Sequence, residues 1–481
     1  MENLTIDKAS KLLKEGKITS RQLCEQCIKN IENTRELNTL ISTRFDEALK
    51  EADEIDKRRQ NGEELPDLAG IPYILKDLIN MIGTNTTCAS KFLSNYQSVY
   101  DATLVKNLKR DGAICLGKAN MDEFAMGSSN ENSAFGVVKN PCNTEYVPGG
   151  SSGGSVAAVK SNQCLFSIGT ETGGSIRQPS SLCGTFGLKT TYGLVPRYGV
   201  VAFASGFDQA GPIANSAKDL AYVLNSISSY DENEVTSAKN LRPDYLKSFT
   251  NSVKGKKIGV DKQFFAQGID KEVEKKIKEV IDFYASCGAE IVDINLKNIK
   301  YSLPVYYILT SAEASSNLAR YDGIRYGVRT YGQRNTEDEL YEMYVKSRNN
   351  FGREVKRRIL IGNFVLTGDN YKNYYKKARR AQELLKDDFK EAFSKCDCII
   401  CPTSPTVAFK IGEKSQDAYQ MYLSDIYTVP ENLVGIPAIN VPCGTNSQGL
   451  PIGFQIIGDK FTEPLLLDMA DFYENNSKEN K

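Results

Sequence analysis

Short apolar runs that break abruptly into glycine, serine and threonine recur from residue 70 onward, and they constrain the fold of this chain more than any other feature. GIPYILKDL begins at Gly70, AICLGKAN at Ala113 and CLFSIGTETGGS at Cys164. Runs of this length suffice to cross a sheet once and are too short for an amphipathic helix, so the small residues after each run read as loops at strand ends. Farther along, KKIGV near 256, a charged amphipathic stretch over 270–286 and AEIVDI near 289 repeat the order strand, helix, strand. CIICPTSP, AINVPCG and IGFQIIG supply the final strands. The expectation is an α/β protein whose loops carry its chemistry.

Before and between these strands the texture is helical. Ile6, Ala9, Leu12 and Leu13 share a helical face, and Thr19 with Gln22 forms a capping box ahead of Leu23, Cys27, Ile28 and Ile31. Residues 1–60 are therefore expected to be an N-terminal helical segment, and 70–215 the catalytic core with both glycine/serine loops. Residues 300–395, rich in Tyr, Arg and Lys at helical spacing, are expected to be a helical insertion. Its basic, aromatic character reads as a solvated layer, with RNA contact as the alternative. No low-complexity linker interrupts the chain, so residues 1–481 are expected to form a single domain.

The 41% apolar and 25% charged residues allow a sizeable core and exclude a disordered chain. Sixty basic residues balance sixty acidic ones, which argues against a chain whose main task is holding phosphate backbones by bulk charge and leaves a local basic face open. Histidine is absent. That removes Ser-His-Asp and Cys-His mechanisms and every zinc site that needs imidazole, leaving lysine as the first candidate to activate a nucleophile. The opening MENLTIDKAS has no secretory apolar region, so the twelve cysteines read as reduced thiols of a cytoplasmic protein. Cys24 with Cys27, and Cys396 with Cys398 and Cys401, are spaced as a Cys-only zinc site would be, yet buried cysteines of a helix and a strand are the commoner outcome, and no metal is expected. No run approaches the roughly 18 apolar residues of a membrane span.

Two loops stand out. PGGSSGGS at 148–155 lacks the Gly-Lys-Ser/Thr of a Walker loop, and Val156, Ala157, Ala158 and Val159 follow it at once, as if it opened a buried helix. In the second loop, Thr172, Gly173, Gly174 and Ser175 are small enough for successive backbone N–H groups to converge on one spot, which is the requirement of an oxyanion site. A serine at the end of such a nest is placed to attack the carbonyl that the nest holds. Lys76 ends the apolar run from Gly70. An ammonium carried into a buried strand end loses proton affinity and becomes available as a base; the alternative is a lysine that snorkels to solvent.

Lys76, GGSSGGS around Ser151 and GGSIRQP around Ser175 together resemble the amidase signature family. NMDEFAMGSSNE at 120, LKTTYG at 188, RYGVVAFAS at 197, SSNLARYDGIRYG at 315 and EVKRRI at 354 are similar to its branch of glutaminase subunits from tRNA-dependent amidotransferases. The resemblance implies a central mixed β-sheet covered by helices on both faces. It also implies a Ser-cisSer-Lys triad, with Ser175 the nucleophile, Ser151 the relay and Lys76 the base. The oxyanion hole would come from Thr172, Gly173 and Gly174 together with Ser175. Arg358 would receive the glutamine carboxylate, Asp425 its α-ammonium, and Tyr306 would line the pocket. The implied activity is glutamine hydrolysis that supplies ammonia for converting Glu-tRNA(Gln) to Gln-tRNA(Gln). No cofactor would bind this chain; ATP and magnesium would be used by a tRNA-binding B subunit, with a small C subunit completing a heterotrimer. A stand-alone amidase acting on another carboxamide and an inactive partner-binding scaffold are the alternatives. Glu171 stands where the family pattern has Asp, a longer side chain expected to shift the loop, and Thr190 stands where it has Pro.

Overall fold

In the computed structural model, which describes residues 4–239, 242–265, 268–331 and 338–477, the apolar runs are strands of one continuous sheet. In chain order they are β1 (Leu40–Thr43), β2 (Pro72–Lys76), β3 (Ile114–Ala119), β4 (Phe166–Glu171), β5 (Phe186–Lys189), β6 (Gln209–Ala214), β7 (Lys257–Asp261), β8 (Glu290–Ile294), β9 (Cys398–Pro402), β10 (Ala438–Thr445) and β11 (Pro451–Gly458). They lie in the order β1-β3-β2-β4-β6-β5-β10-β11-β9-β7-β8. The sheet is mixed: β2 runs parallel to β3 and β4, and β7 parallel to β8 and β9, while the remaining pairs are antiparallel.

The parallel trio β3-β2-β4, to one side of the antiparallel middle of the sheet, positions the chemistry. β2 is buried along its whole length between β3 and β4, which is why PYILK carries an unbroken apolar run rather than an alternating one. Because the three strands point the same way, Lys76, Asn120 and the segment after Glu171 all leave the sheet at one edge, where open α/β sheets place their ligands. The helix Arg177–Cys183 packs on β5, β10 and β11, and the helix Glu463–Asn476 packs on β10 and β11. They cover opposite faces: a Cβ at Gly453 would meet Ser181 of the first helix, whereas one at Gly458, of opposite strand parity, would meet Leu466 of the second.

Two expectations need correction. The N-terminal segment holds the helices Ile6–Lys14, Ser20–Asn33 and Phe45–Gln60, with the Thr19/Gln22 capping box in place, but Leu40–Thr43 is a strand paired antiparallel with Gly117–Ala119. Only four residues long and ending in Ser and Thr, it has no readable alternation. Gly117 admits it, since a Cβ there would lie 2.4 Å from the Ser42 carbonyl. Nor is the 300–395 stretch merely a solvated layer. Its helices Ser302–Asn317 and Arg353–Leu366 pack tightly, with Gly362 against the Ser311 carbonyl, and they bury Tyr306, Leu309 and Arg358 beside the loops described next.

Candidate active site

Lys76 reaches the end of β2 with no exposed surface. Its Nζ donates to Ser151 Oγ at 2.8 Å, to Ser152 Oγ at 2.8 Å and to the Thr170 carbonyl at 3.3 Å. Burial pulls its pKa from 10.5 down to about 7, against the opposing pull of Asp122, Asp208 and Glu171. This is the state a lysine base requires: anchored, desolvated, and neutral in a large fraction of molecules near pH 7. The Gly150–Ser151 peptide is cis, the arrangement that the resemblance implies for the relay serine. Gly150 also has to be glycine, because a Cβ there would lie 2.1 Å from Asp122 Oδ2. Asp122 accepts the N–H groups of Asn130 and Asn132, and burial raises its own pKa to about 7.

The second loop turns over this lysine. Ser175 is 8% exposed, and its hydroxyl has no hydrogen bond among the described residues, so it is free to rotate toward Ser151 or toward a substrate. Its carbonyl accepts from Ser152 N at 3.2 Å, which ties the two serine loops together. The N–H groups of Thr172, Gly173, Gly174 and Ser175 donate to no acceptor among the described residues, while the carbonyls of Gly173 and Gly174 are engaged by Thr428 Oγ1 and Gln178 N, each at 2.8 Å. Donors left open in a buried loop are what an oxyanion hole needs. Glu171 does not loosen this loop. Its carboxylate accepts from Ile176 N and Arg177 N at 3.0 Å and pairs with the Arg177 guanidinium, which reaches on to Glu431. Glu171, Arg177 and Glu431 thus form a buried ion network that ties the end of β4 to the helix after the loop.

Arg358, Asp425 and Tyr306 converge on the same place. A Cβ at Gly173 would lie 2.5 Å from Tyr306 Cζ, so the tyrosine ring forms the wall facing the oxyanion loop. Arg358 is buried, with Nε donating to Glu354 Oε1 at 2.7 Å and its guanidinium lying 4.5 Å from the Tyr307 ring centre. Its Nη1 is buried without a hydrogen-bond partner among the described residues. An unpaired buried guanidinium N–H is costly, and an incoming carboxylate would satisfy it. Asp425 accepts from Ser128 Oγ at 2.6 Å and Tyr307 OH at 3.2 Å; burial raises its pKa to about 7 against those two bonds. A cleft of about 130 Å³ opens beside Arg358 between Ser128, Ser129, Met421 and Tyr422. A larger apolar cavity of about 660 Å³ lies behind Tyr307 and Tyr422 and contains none of the triad.

Sequence reasoning singled out the two loops, Lys76, Arg358 and Asp425, which lie together here. It missed Ser152, Ser128, Tyr307, Thr428, Asp122 and Asp208. Ser128 and Asp122 sit inside NMDEFAMGSSNE, but nothing in their spacing marks them. Asp208 accepts from Thr172 Oγ1 at 2.7 Å, and burial raises its pKa to about 6.

A buried lysine bonded to a serine loop, beside a second serine loop with open N–H groups on this sheet, is an arrangement suited to amide hydrolysis. The Amidase family model matches residues 22–467, and the chain belongs to that family. The A subunit of the glutamyl-tRNA(Gln) amidotransferase of Thermoanaerobacter pseudethanolicus is 49% identical over 480 residues, covering 99% of this chain and 97% of that protein. Its namesake from Clostridium botulinum is 47% identical over 478 residues, covering 99% and 98%. Among solved structures, the A subunit of the glutamyl-tRNA(Gln) amidotransferase of Thermotoga maritima superposes with a TM-score of 0.82 at 39% identity, covering 99% of this chain and 96% of that one. A peptide amidase in complex with the competitive inhibitor chymostatin superposes with a TM-score of 0.85 at 28% identity, covering 100% and 99%.

Proposed function

We propose that this chain is the glutaminase subunit of a tRNA-dependent amidotransferase. The observation that carries the reading is the closeness of Lys76, Ser151 and the Ser175 loop to Asp425 and to Arg358, whose buried Nη1 lacks a partner among the described residues. Glutamine offers a carboxylate for Arg358, an ammonium for Asp425 and a γ-carboxamide for Ser175. Full-length similarity to subunits named for glutamyl-tRNA(Gln) amidotransferase supports the same substrate.

Neutral Lys76 takes a proton from Ser151 as Ser151 takes one from Ser175, whose oxygen attacks the γ-carbonyl carbon. The oxyanion is held by the open N–H groups of the 172–175 loop. As the C–N bond breaks, the relay returns the proton to nitrogen, and ammonia leaves behind a γ-glutamyl ester on Ser175. Water then attacks the ester by the same relay and releases glutamate. The ammonia serves a partner subunit that uses ATP and magnesium to activate Glu-tRNA(Gln), with a small third subunit completing a cytoplasmic heterotrimer.

The test is glutamine hydrolysis by the wild-type chain and by Ser175→Ala, each with and without the partner subunits. Wild type is expected to hydrolyse glutamine and to form Gln-tRNA(Gln) only with partners. Ser175→Ala is expected to lose hydrolysis while the assembled complex still amidates from free ammonium. Gln-tRNA(Gln) made by the isolated chain, or glutaminase activity retained in Ser175→Ala, would overturn the proposal.

A further inference from the structure

The oxyanion donors need aiming as well as freedom. In a trans peptide the C=O and N–H point in opposite directions, so whatever grips a carbonyl also fixes the N–H of the next residue. The Gly174 carbonyl is gripped by Gln178 N, at the start of the loop's own helix, and this orients the Ser175 N–H. The Gly173 carbonyl has no such local partner. It is gripped by the hydroxyl of Thr428, 255 residues away in sequence, at 2.8 Å. Thr428 is fully buried, and a Cβ at Gly174 would lie 2.2 Å from its Oγ1, so the hydroxyl fits only against this glycine.

Thr428 is itself held rigidly. Its N–H donates to the Asp425 carbonyl at 3.1 Å, and its own carbonyl accepts from Arg177 Nη2 at 2.6 Å. Its hydroxyl can alternatively reach the Asp425 carbonyl at 3.2 Å, a longer contact than that to Gly173. The turn that aims the Gly174 N–H is therefore the turn that carries Asp425.

We infer that Thr428 is a positioning residue for the oxyanion hole, joining the turn that recognises the substrate ammonium to the donor that stabilises the tetrahedral intermediate. The inference rests on the reading of residues 172–175 as that hole. A donor aimed at the oxyanion acts in the transition state and not in ground-state binding, so its loss lowers kcat and spares KM.

The experiment uses the full chain assembled with its partners and compares Thr428→Val, which keeps the shape and removes the donor, with Thr428→Ser, which keeps the donor. Thr428→Ala, adding no bulk beside Gly174, repeats the test should Val disturb the fold. Expected are a fall in kcat of about tenfold or more in Val and Ala, with KM within about threefold of wild type. A γ-boronate analogue of glutamine, whose adduct on Ser175 places an oxygen in the hole, should weaken by the same factor. Thr428→Ser should return to within about threefold of wild type on all three readings. A raised KM with kcat unchanged, or a Ser variant as impaired as Val, would overturn the inference. If Ser175→Ala stayed active, the site reading itself would fail; a dead Ser175→Ala beside a normal Thr428→Val would sink only the role of Thr428.

Discussion

The protonation of Lys76 should govern the pH dependence of glutamine hydrolysis. Burial lowers its pKa from 10.5 to about 7, a bias toward the neutral amine on the order of 5 kcal/mol. The base works only when neutral, so activity must rise with pH. About a tenth of molecules carry the neutral amine at pH 6 and about nine tenths at pH 8, whereas an ordinary lysine at pH 8 would be neutral in fewer than about one in a hundred. Single-turnover ammonia release at saturating glutamine, followed from pH 5.5 to 9.5, should therefore rise by roughly tenfold between pH 6 and 8 and then level off. Asp122 supplies an internal control. When ionised, its carboxylate favours the ammonium form of Lys76, and since burial raises its own pKa to about 7, the two titrate together; Asp122→Asn should move the midpoint to lower pH. A flat profile between pH 6 and 9, or a midpoint near that of free lysine, would refute the assignment of Lys76 as the base.

Arg358→Ala should raise the KM for glutamine by about thirtyfold to a thousandfold, equivalent to roughly 2–4 kcal/mol of lost charge contact, while hydrolysis of an activated amide lacking the α-carboxylate is spared. Steady-state kinetics on both substrates checks this, and equal losses on both would point to a role in folding. Gly173→Ala should abolish hydrolysis, because the new methyl would sit 2.5 Å from Tyr306 Cζ, and Tyr306→Leu in that background should restore part of kcat. Unchanged kcat in the single variant would show that the loop and the tyrosine do not meet.

What the sequence made legible had a local signal. The capping box at Thr19 and Gln22, the strand-helix-strand order from Lys257 to Ile294 and the buried helix after GGSSGGS all rest on spacings within one element, and all are present. The two loops were readable because glycine-rich segments advertise close backbone approach; ending a buried strand did not by itself single out Lys76, since Lys189 ends β5 just as buried and donates to the Thr190 and Ile436 carbonyls. Residues that act through distant partners were not readable. Ser128 and Tyr307 meet at Asp425 across 297 and 118 residues of chain, and Thr428 meets Gly173 across 255. The helix Arg177–Cys183 likewise has no amphipathic pattern, since every residue in it is buried and its arginine is neutralised by Glu171 and Glu431.

The division of labour between chain segments has an evolutionary consequence. In the proposed function, the groups that make and break the acyl bond come from residues 76–178, at the ends of the parallel strands β2 and β4, and they respond only to the carbonyl. The groups proposed to read the rest of the molecule come from Tyr306, Arg358 and Asp425, on helices and a turn laid beside those strand ends. A lineage can exchange the second set, and so be retargeted to another carboxamide, while inheriting the proton relay unaltered. A peptide amidase shares the architecture at 28% identity. Thr428 is where the two inheritances touch, so drift in the turn from Asp425 to Thr428 would put reactivity and selectivity at risk together.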